Sequence, residues 1–275
     1  MSYHSKYRGS TIDSVVEQML LNSKPYIKIA SKETATLNFQ EGDMEIPAHK
    51  PLKITNKLSN TTFKGKPITW ADLSHADISH LTNLNEFFSY CAINEVNVEF
   101  DTSNITSMYN IFLGCYSLEH IYGIGQWDTS KVTNMNYMFA DCYQLSTLNI
   151  GNWDTSNVES MTGTFANCQA RILDLSGWDC SKVKRCRYMF EIDVTPRVHL
   201  IRFGEGFGKM LGNQTVDLSK QTAWVSEVSS LTKLYDRKSN GMGIMTFKLS
   251  ANSYAKLSQE QLTTITNKGY NIISA

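Results

Sequence analysis

The sequence has no surplus of either charge: Lys+Arg and Asp+Glu both number 26. A general nucleic-acid binder needs a basic face to displace counterions from phosphates, so no nucleic-acid partner is expected. Long apolar runs are also missing. No window approaches the roughly 18–20 apolar residues of a membrane span. The polar opening from Met1 to Ser10 leads into an amphipathic stretch, not the h-region of an export signal. The expectation is therefore synthesis in a cytoplasm and no membrane span. The six cysteines include no CxxC pair, which leaves a zinc site without support and favours buried free thiols. What the composition does supply, 41% hydrophobic and 19% charged residues over 275 positions, is enough for a buried core.

The motifs of common chemistry are lacking as well. Gly204 to Lys209 is glycine-rich and ends in lysine, but no Ser/Thr follows the lysine, and the spacing fits neither a P-loop nor a dinucleotide fingerprint. His75 and His80 flank Asp77 five residues apart, which does not put both rings on one helical face. No nucleophile elbow or carboxylate pair stands out. No catalytic, cofactor-binding or metal-binding residue is assigned, and the chain reads as a binding or structural protein, not an enzyme.

What is present is a repeat. The frame Thr129 to Cys142 recurs at Ile78 to Cys91, Thr102 to Cys115 and Thr155 to Cys168, with a degraded fifth copy from Cys180 to Phe190. The aspartates that open the copies, Asp77, Asp101, Asp128, Asp154 and Asp179, lie 24, 27, 26 and 25 residues apart. Leu145, Leu148 and Ile150 read as a short strand. Trp153 to Ser156 reads as a turn whose short polar side chains suit capping of the next helix. Val158, Met161 and Phe165 then recur at helical spacing. One such unit cannot bury its apolar face alone, so copies must stack. Trp127, Trp153 and Trp178 are expected to form an internal column, and Cys91, Cys115, Cys142 and Cys168 a ladder of small apolar groups. The expected fold class is α/β: a β/α solenoid of about five leucine-rich-type repeats, with a small α+β N-terminal region and an α+β C-terminal cap. The outward strand positions, Asn97, Tyr122, Asn149 and Asp174, differ between copies and form a candidate ligand face, with a merely solvated sheet surface as the alternative.

The flanks divide the chain at 1–66, 67–212 and 213–275. In the first, Ser10 to Asp13 can start a helix with Ile12, Val15, Val16, Met19 and Leu20 on one face; Tyr26 to Ala30 and Thr36 to Phe39 read as strands, followed by a turn at Glu41 to Asp43. In the last, Trp224, Val225, Val228, Leu231 and Leu234 follow helical spacing and Ile244 to Leu249 alternates as a strand. Ser258 and Gln261 offer a capping box for a helix that stops at Gly269, and Tyr270 to Ile273 can return as a strand.

The frame WDTSKVTNMNYMFADC, Trp127 to Cys142, resembles the BspA-like leucine-rich repeats of bacterial surface proteins. That likeness covers about half the chain and implies a repeat fold used for adhesion, with no catalytic residues and no cofactor. The tail resembles endings on repeat proteins of gut Bacteroidales and their phages. The segment Tyr7 to Val16 resembles the opening of virion fibre and tail proteins of Bacteroides phages. There it implies an anchoring helix, with Tyr7, Gly9, Ile12, Asp13 and Val16 as the residues carried over; a plain capping helix is the other reading. Together these likenesses imply a virion subunit (head fibre, tail fibre or decoration), a homo-oligomer with a trimer favoured. Its N-terminal region would hold other virion proteins and its repeats would face a host surface protein or polysaccharide. A bacterial cell-surface adhesin is the alternative, and a capsule-degrading enzyme a third.

Overall fold

The repeated frame carries too much left-handed backbone to be helical. The structure is a computed structural model and describes residues 27–274 apart from 32, 41, 49–51, 55, 192–199, 204, 211–214, 219–230 and 233. Within the repeats φ is positive at Glu86, Asn110, Tyr137, Gly163 and Tyr188, one site per copy, and again four residues later at Tyr90, Gly114, Asp141 and Asn167. A left-handed conformation costs an L-residue about 1–2 kcal/mol and cannot sit inside an α-helix. The backbone hydrogen bonds show what replaces the helix. Leu84, Glu86, Phe88 and Tyr90 donate their N–H groups to the carbonyls of Ser107, Tyr109, Ile111 and Leu113 in the next copy. The intervening Phe87, Ser89 and Cys91 donate three residues back, to Leu84, Glu86 and Phe88. The same alternation joins Met135, Tyr137, Phe139 and Asp141 to Ser160, Thr162, Thr164 and Ala166.

This corrects the expected fold class. The helix expected through Val158, Met161 and Phe165 is a run of turns, and the strand expected at Leu145 to Ile150 is reduced to one parallel bridge, Leu148 to Leu173. Tandem turns bonded three residues back bring residues three and four apart to the same side, so all three apolar residues are buried without a helix. The described chain is not a β/α solenoid but a set of small β-sheets with mixed pairing, joined by turns. Its α-helices among the described residues, α1 (Ala251–Tyr254) and α2 (Gln259–Asn267), both lie outside the repeats.

The largest sheet has the order β4-β1-β5-β6-β7, from β1 (Ile27–Ser31), β4 (Leu52–Ile54), β5 (Ile68–Asp72), β6 (Glu95–Asn97) and β7 (His120–Tyr122). β1 runs antiparallel to both β4 and β5, whereas β5, β6 and β7 are parallel. The N-terminal flank thus continues the sheet of the first copies, with Ile27 and Ile29 buried beneath it. The hairpin of β2 (Ala35–Phe39) and β3 (Gly42–Ile46) pairs Phe39 with Gly42 and Asn38 with Asp43, so Gly42 and Asp43, expected in a turn, open β3. Further on, β8 (Ile172–Leu175) and β9 (Leu200–Phe203) form a parallel pair.

The core is laid down in columns. Phe63, Phe88, Phe112, Phe139, Phe165 and Phe190 follow one another with ring centroids 5.0 to 5.9 Å apart. Trp127, Trp153 and Trp178 run beside them with centroids 6.1 and 6.3 Å apart and planes within 10° of parallel. Phe63 precedes the first copy recognised from sequence, so residues before Asp77 supply one more rung.

The C-terminal sheet, β10-β11-β12, is parallel and built from β10 (Thr215–Leu218), β11 (Met245–Leu249) and β12 (Tyr270–Ser274). The capping box of Ser258 and Gln261 opens α2, and Gly269 follows it with φ of 89°. Leu231 and Leu234 are buried in a short turn; Trp224, Val225 and Val228 lie outside the described residues. The buried guanidinium of Arg237 ties this cap to the end of the repeats, donating to the carbonyls of Gly208, Met210 and Gly243 at 2.9, 2.6 and 2.7 Å.

Candidate binding surface

Strand pairing aligns the positions that vary between copies. Asn97 lies opposite Asp72 on one side and Tyr122 on the other, and the Leu148–Leu173 bridge sets Asn149 beside Asp174. Asn149 also packs against Gly125, where a Cβ would come within 2.9 Å of its side-chain nitrogen. The structure therefore brings the four candidate residues into neighbouring rungs of one surface.

Their polar atoms, however, are partly committed. Asn97 Oδ1 accepts the Glu99 N–H at 3.1 Å, and Asp174 Oδ1 accepts the Ser176 N–H at 3.0 Å and its hydroxyl at 2.6 Å. Asp72 does the same with Ser74 at 3.1 and 2.7 Å. Short side chains that accept from the backbone two residues on close the turn after a strand. Tyr122 stands half exposed beside the His120 ring, and burial, then the nearby Glu95, raise its phenol above the ordinary value. The anchoring residues Tyr7, Gly9, Ile12, Asp13 and Val16 lie outside the described residues.

The residues shared by the copies are scaffold. Asp77, Asp101, Asp128, Asp154 and Asp179 each accept the N–H of the serine two residues on, at 2.9–3.0 Å. Hydrogen bonds from those serines hold the carboxyls of Asp77, Asp101, Asp128 and Asp154 below the usual carboxylate range. The buried hydroxyls of Thr102, Thr129 and Thr155 donate to the carbonyls of Asp128, Asp154 and Asp179 in the next copy. Each indole reaches back to the previous copy, with Trp127, Trp153 and Trp178 donating to Val98, Ile124 and Ile150 at 2.8, 3.0 and 2.9 Å. The thiols of Cys115 and Cys142 donate to Phe88 and Phe112 carbonyls. All six cysteines are free and buried, and burial pushes Cys91 and Cys168 up to about 12.

A second surface escaped the sequence reading. Tyr90 and Tyr116, each about half exposed, have ring centroids 6.4 Å apart, and Tyr116 stacks on Tyr143 at 5.5 Å. Tyr143 Oη donates to Asp141 Oδ1 at 3.2 Å, and Asn167 Nδ2 donates to the same oxygen at 2.8 Å. The signal was in the frame: a tyrosine follows the cysteine at Cys115 and Cys142 and precedes it at Cys91. The tyrosine shifts across the cysteine from copy to copy, so it is not part of the shared frame.

The glycine-rich stretch is explained by packing. A Cβ on Gly206 would lie 2.2 Å from the Trp178 carbonyl oxygen, and one on Gly208 would lie 2.1 Å from Tyr270 Oη. His80 Nε2 sits 2.9 Å from the Leu58 carbonyl and His75 Nδ1 2.9 Å from Ser74 Oγ. Among the described residues no helix is long and apolar enough to cross a membrane.

Comparison with known proteins brings one family forward. Its model, described as a Mycoplasma protein of unknown function, DUF285, matches residues 56–122 and 82–196, which together span just over half of the chain. The first match begins before Phe63, the rung that precedes the first copy read from sequence. No curated protein and no solved structure matches. The family match is consistent with the BspA-like look of the frame at Trp127 to Cys142, and the chain belongs to the DUF285 family.

Proposed function

We propose that this chain is a non-enzymatic surface-binding protein whose stacked repeats present variable side chains to a partner on a host cell. The observation that carries this reading is the division of labour within each copy. The shared Asp, Thr, Trp, Phe and Cys residues are consumed in turns, buried hydrogen bonds and ring columns, while tyrosines and amides that differ between copies are left at the surface. A rigid scaffold with variable outward positions suits recognition.

The setting we propose is a phage virion, as a head-fibre, tail-fibre or decoration subunit, oligomeric and held to the particle by residues 1–66. Support for it is the likeness of Tyr7 to Val16 to fibre and tail proteins. Mass spectrometry and immuno-electron microscopy of purified particles test it; absence of the chain from particles overturns it. A bacterial cell-surface adhesin is the second reading, supported by the likeness of Trp127 to Cys142 to the repeats of bacterial surface proteins. Surface labelling of intact producing cells separates the two.

A further inference from the structure

We propose that the tyrosine strip Tyr90–Tyr116–Tyr143, flanked by Asp141 and Asn167, is a subsite for a short stretch of neutral polysaccharide. This rests on the surface-binding reading above and moves its site away from the Asn97–Asp174 row, in which Asn97 and Asp174 close turns.

The strip has the two kinds of group that a sugar asks for. A pyranose offers a face of C–H bonds and a rim of hydroxyls. Tyr90 and Tyr116 supply exposed aromatic surface, 51% and 49% exposed. At one end the Tyr143 hydroxyl and Asn167 donate to Asp141 and hold its carboxylate beside the rings. A carboxylate has about four lone-pair sites, so Asp141 can also accept from a sugar hydroxyl. Tyrosine joins an apolar ring to a polar tip and so serves both needs. Successive rings stand 6.4 and 5.5 Å apart, on the scale of one sugar unit.

Size and charge choose between occupants. Tyrosine rings present roughly 150–250 Å² each, so a strip of two half-exposed rings and part of a third offers on the order of 200–300 Å². A stable protein partner needs about 800 Å² on each side. A narrow strip of this area fits a few sugar units better than a folded domain. The flanking charge is the Asp141 carboxylate, which repels an anionic polymer and leaves a neutral one.

The rings are also held in place. Tyr90 lies over Gly114, where a Cβ would come within 2.4 Å of its Cδ1, so the glycine gives the ring a floor. Preorganised aromatic contacts avoid part of the ordering cost of binding.

Affinity electrophoresis of the full chain through gels containing mannan, dextran or arabinogalactan, with alginate as the anionic probe, tests the proposal. We expect at least one neutral polymer to retard the chain and alginate not to. Tyr116→Ala should weaken retardation about tenfold, the loss of one aromatic contact. Tyr116→Trp should retain it, and Tyr188→Ala, an exposed tyrosine outside the strip, should not change it. Melting curves of each variant show that the fold is intact. No retardation by the neutral polymers, retardation by alginate alone, or a Tyr116→Ala chain that binds like the original overturns the proposal. Adsorption of the labelled chain to intact Bacteroides cells is read in parallel. Adsorption that survives Tyr116→Ala overturns the strip and leaves the surface-binding reading standing; no adsorption and no retardation overturn both. Adsorption removed by protease treatment of the cells but not by periodate points to a protein partner and overturns the polysaccharide.

Discussion

The ring of Tyr137 lies across Gly163 of the next copy, so close that a Cβ on the glycine would stand 2.3 Å from both Cδ1 and Cε1. Both residues are left-handed, with φ of 53° and 60°. They occupy the same position in successive copies, and the missing side chain of one makes room for the ring of the other.

Gly163→Ala should therefore destabilise the chain by about 2–4 kcal/mol, from a left-handed penalty of about 1–2 kcal/mol plus the displaced ring. In a Tyr137→Ala background the cost should fall to the backbone part alone. A double-mutant cycle by urea denaturation measures the coupling; equal costs in both backgrounds contradict the packing relationship.

Removing an indole N–H should cost one buried hydrogen bond, while the carbonyl keeps a backbone donor; Ile124 O still accepts the Trp127 N–H at 3.4 Å. Trp153→Phe keeps an aromatic ring in the column but loses the bond to Ile124 O. The expected loss from the bond is about 0.5–1.5 kcal/mol in urea midpoint measurements. Phe139→Ala, which opens a gap between the Phe112 and Phe165 rings, should cost about 3–5 kcal/mol. A Trp153→Phe chain as stable as the original would mean that the bond contributes nothing.

The turn aspartates predict acid sensitivity of a definite sign. Serine hydrogen bonds lower the carboxyls of Asp77, Asp101, Asp128 and Asp154 in the folded chain. A depressed folded value gives stability that is present above the unfolded value, near 3.9, and lost as pH falls through the folded value. Melting temperature should thus drop as pH falls below about 4. Asp128→Asn keeps an acceptor for the Ser130 N–H without a titrating group and should flatten the drop. A variant with an unchanged acid profile contradicts this origin.

Buried thiols should resist modification. Burial raises Cys91 and Cys168 to about 12 and Cys186 to about 11, and lifts Cys115, Cys142 and Cys180 as well. At pH 8 native chain should react with a disulfide reagent only as fast as it opens, whereas urea should release all six thiols. Rapid labelling of native chain contradicts the buried ladder.

What the sequence made legible was periodicity; what it concealed was handedness. The Asp-to-Asp spacing, the tryptophan column, the capping box at Ser258 and the strand at Met245 to Leu249 follow from composition and spacing. The helix failed because Val158, Met161 and Phe165 fit a helix and a run of turns equally. Nothing in Glu86, Tyr137 or Tyr188 announces a positive φ, since it is imposed by bonds to the next copy and not by local preference. Gly114 and Gly163 were the available clue, each standing where its neighbour in the stack is a tyrosine. In the candidate face, Asn97 and Asp174 were visible as variable polar positions, but their turn-closing bonds to Glu99 and Ser176 depend on backbone geometry. The tyrosine strip joins three copies, so no single frame reveals it.

The measurement that bears most directly on the stacking is a scalar coupling across hydrogen bonds, read by NMR on the labelled chain. The N–H of Tyr137 donates to the carbonyl of Thr162, 25 residues ahead, at 2.8 Å. A coupling from Tyr137 nitrogen to the Thr162 carbonyl carbon, repeated from Phe139 to Thr164, is the expected result. A coupling from Tyr137 to the carbonyl four residues back, at Thr133, would show a helix in each copy and contradict the stacked turns.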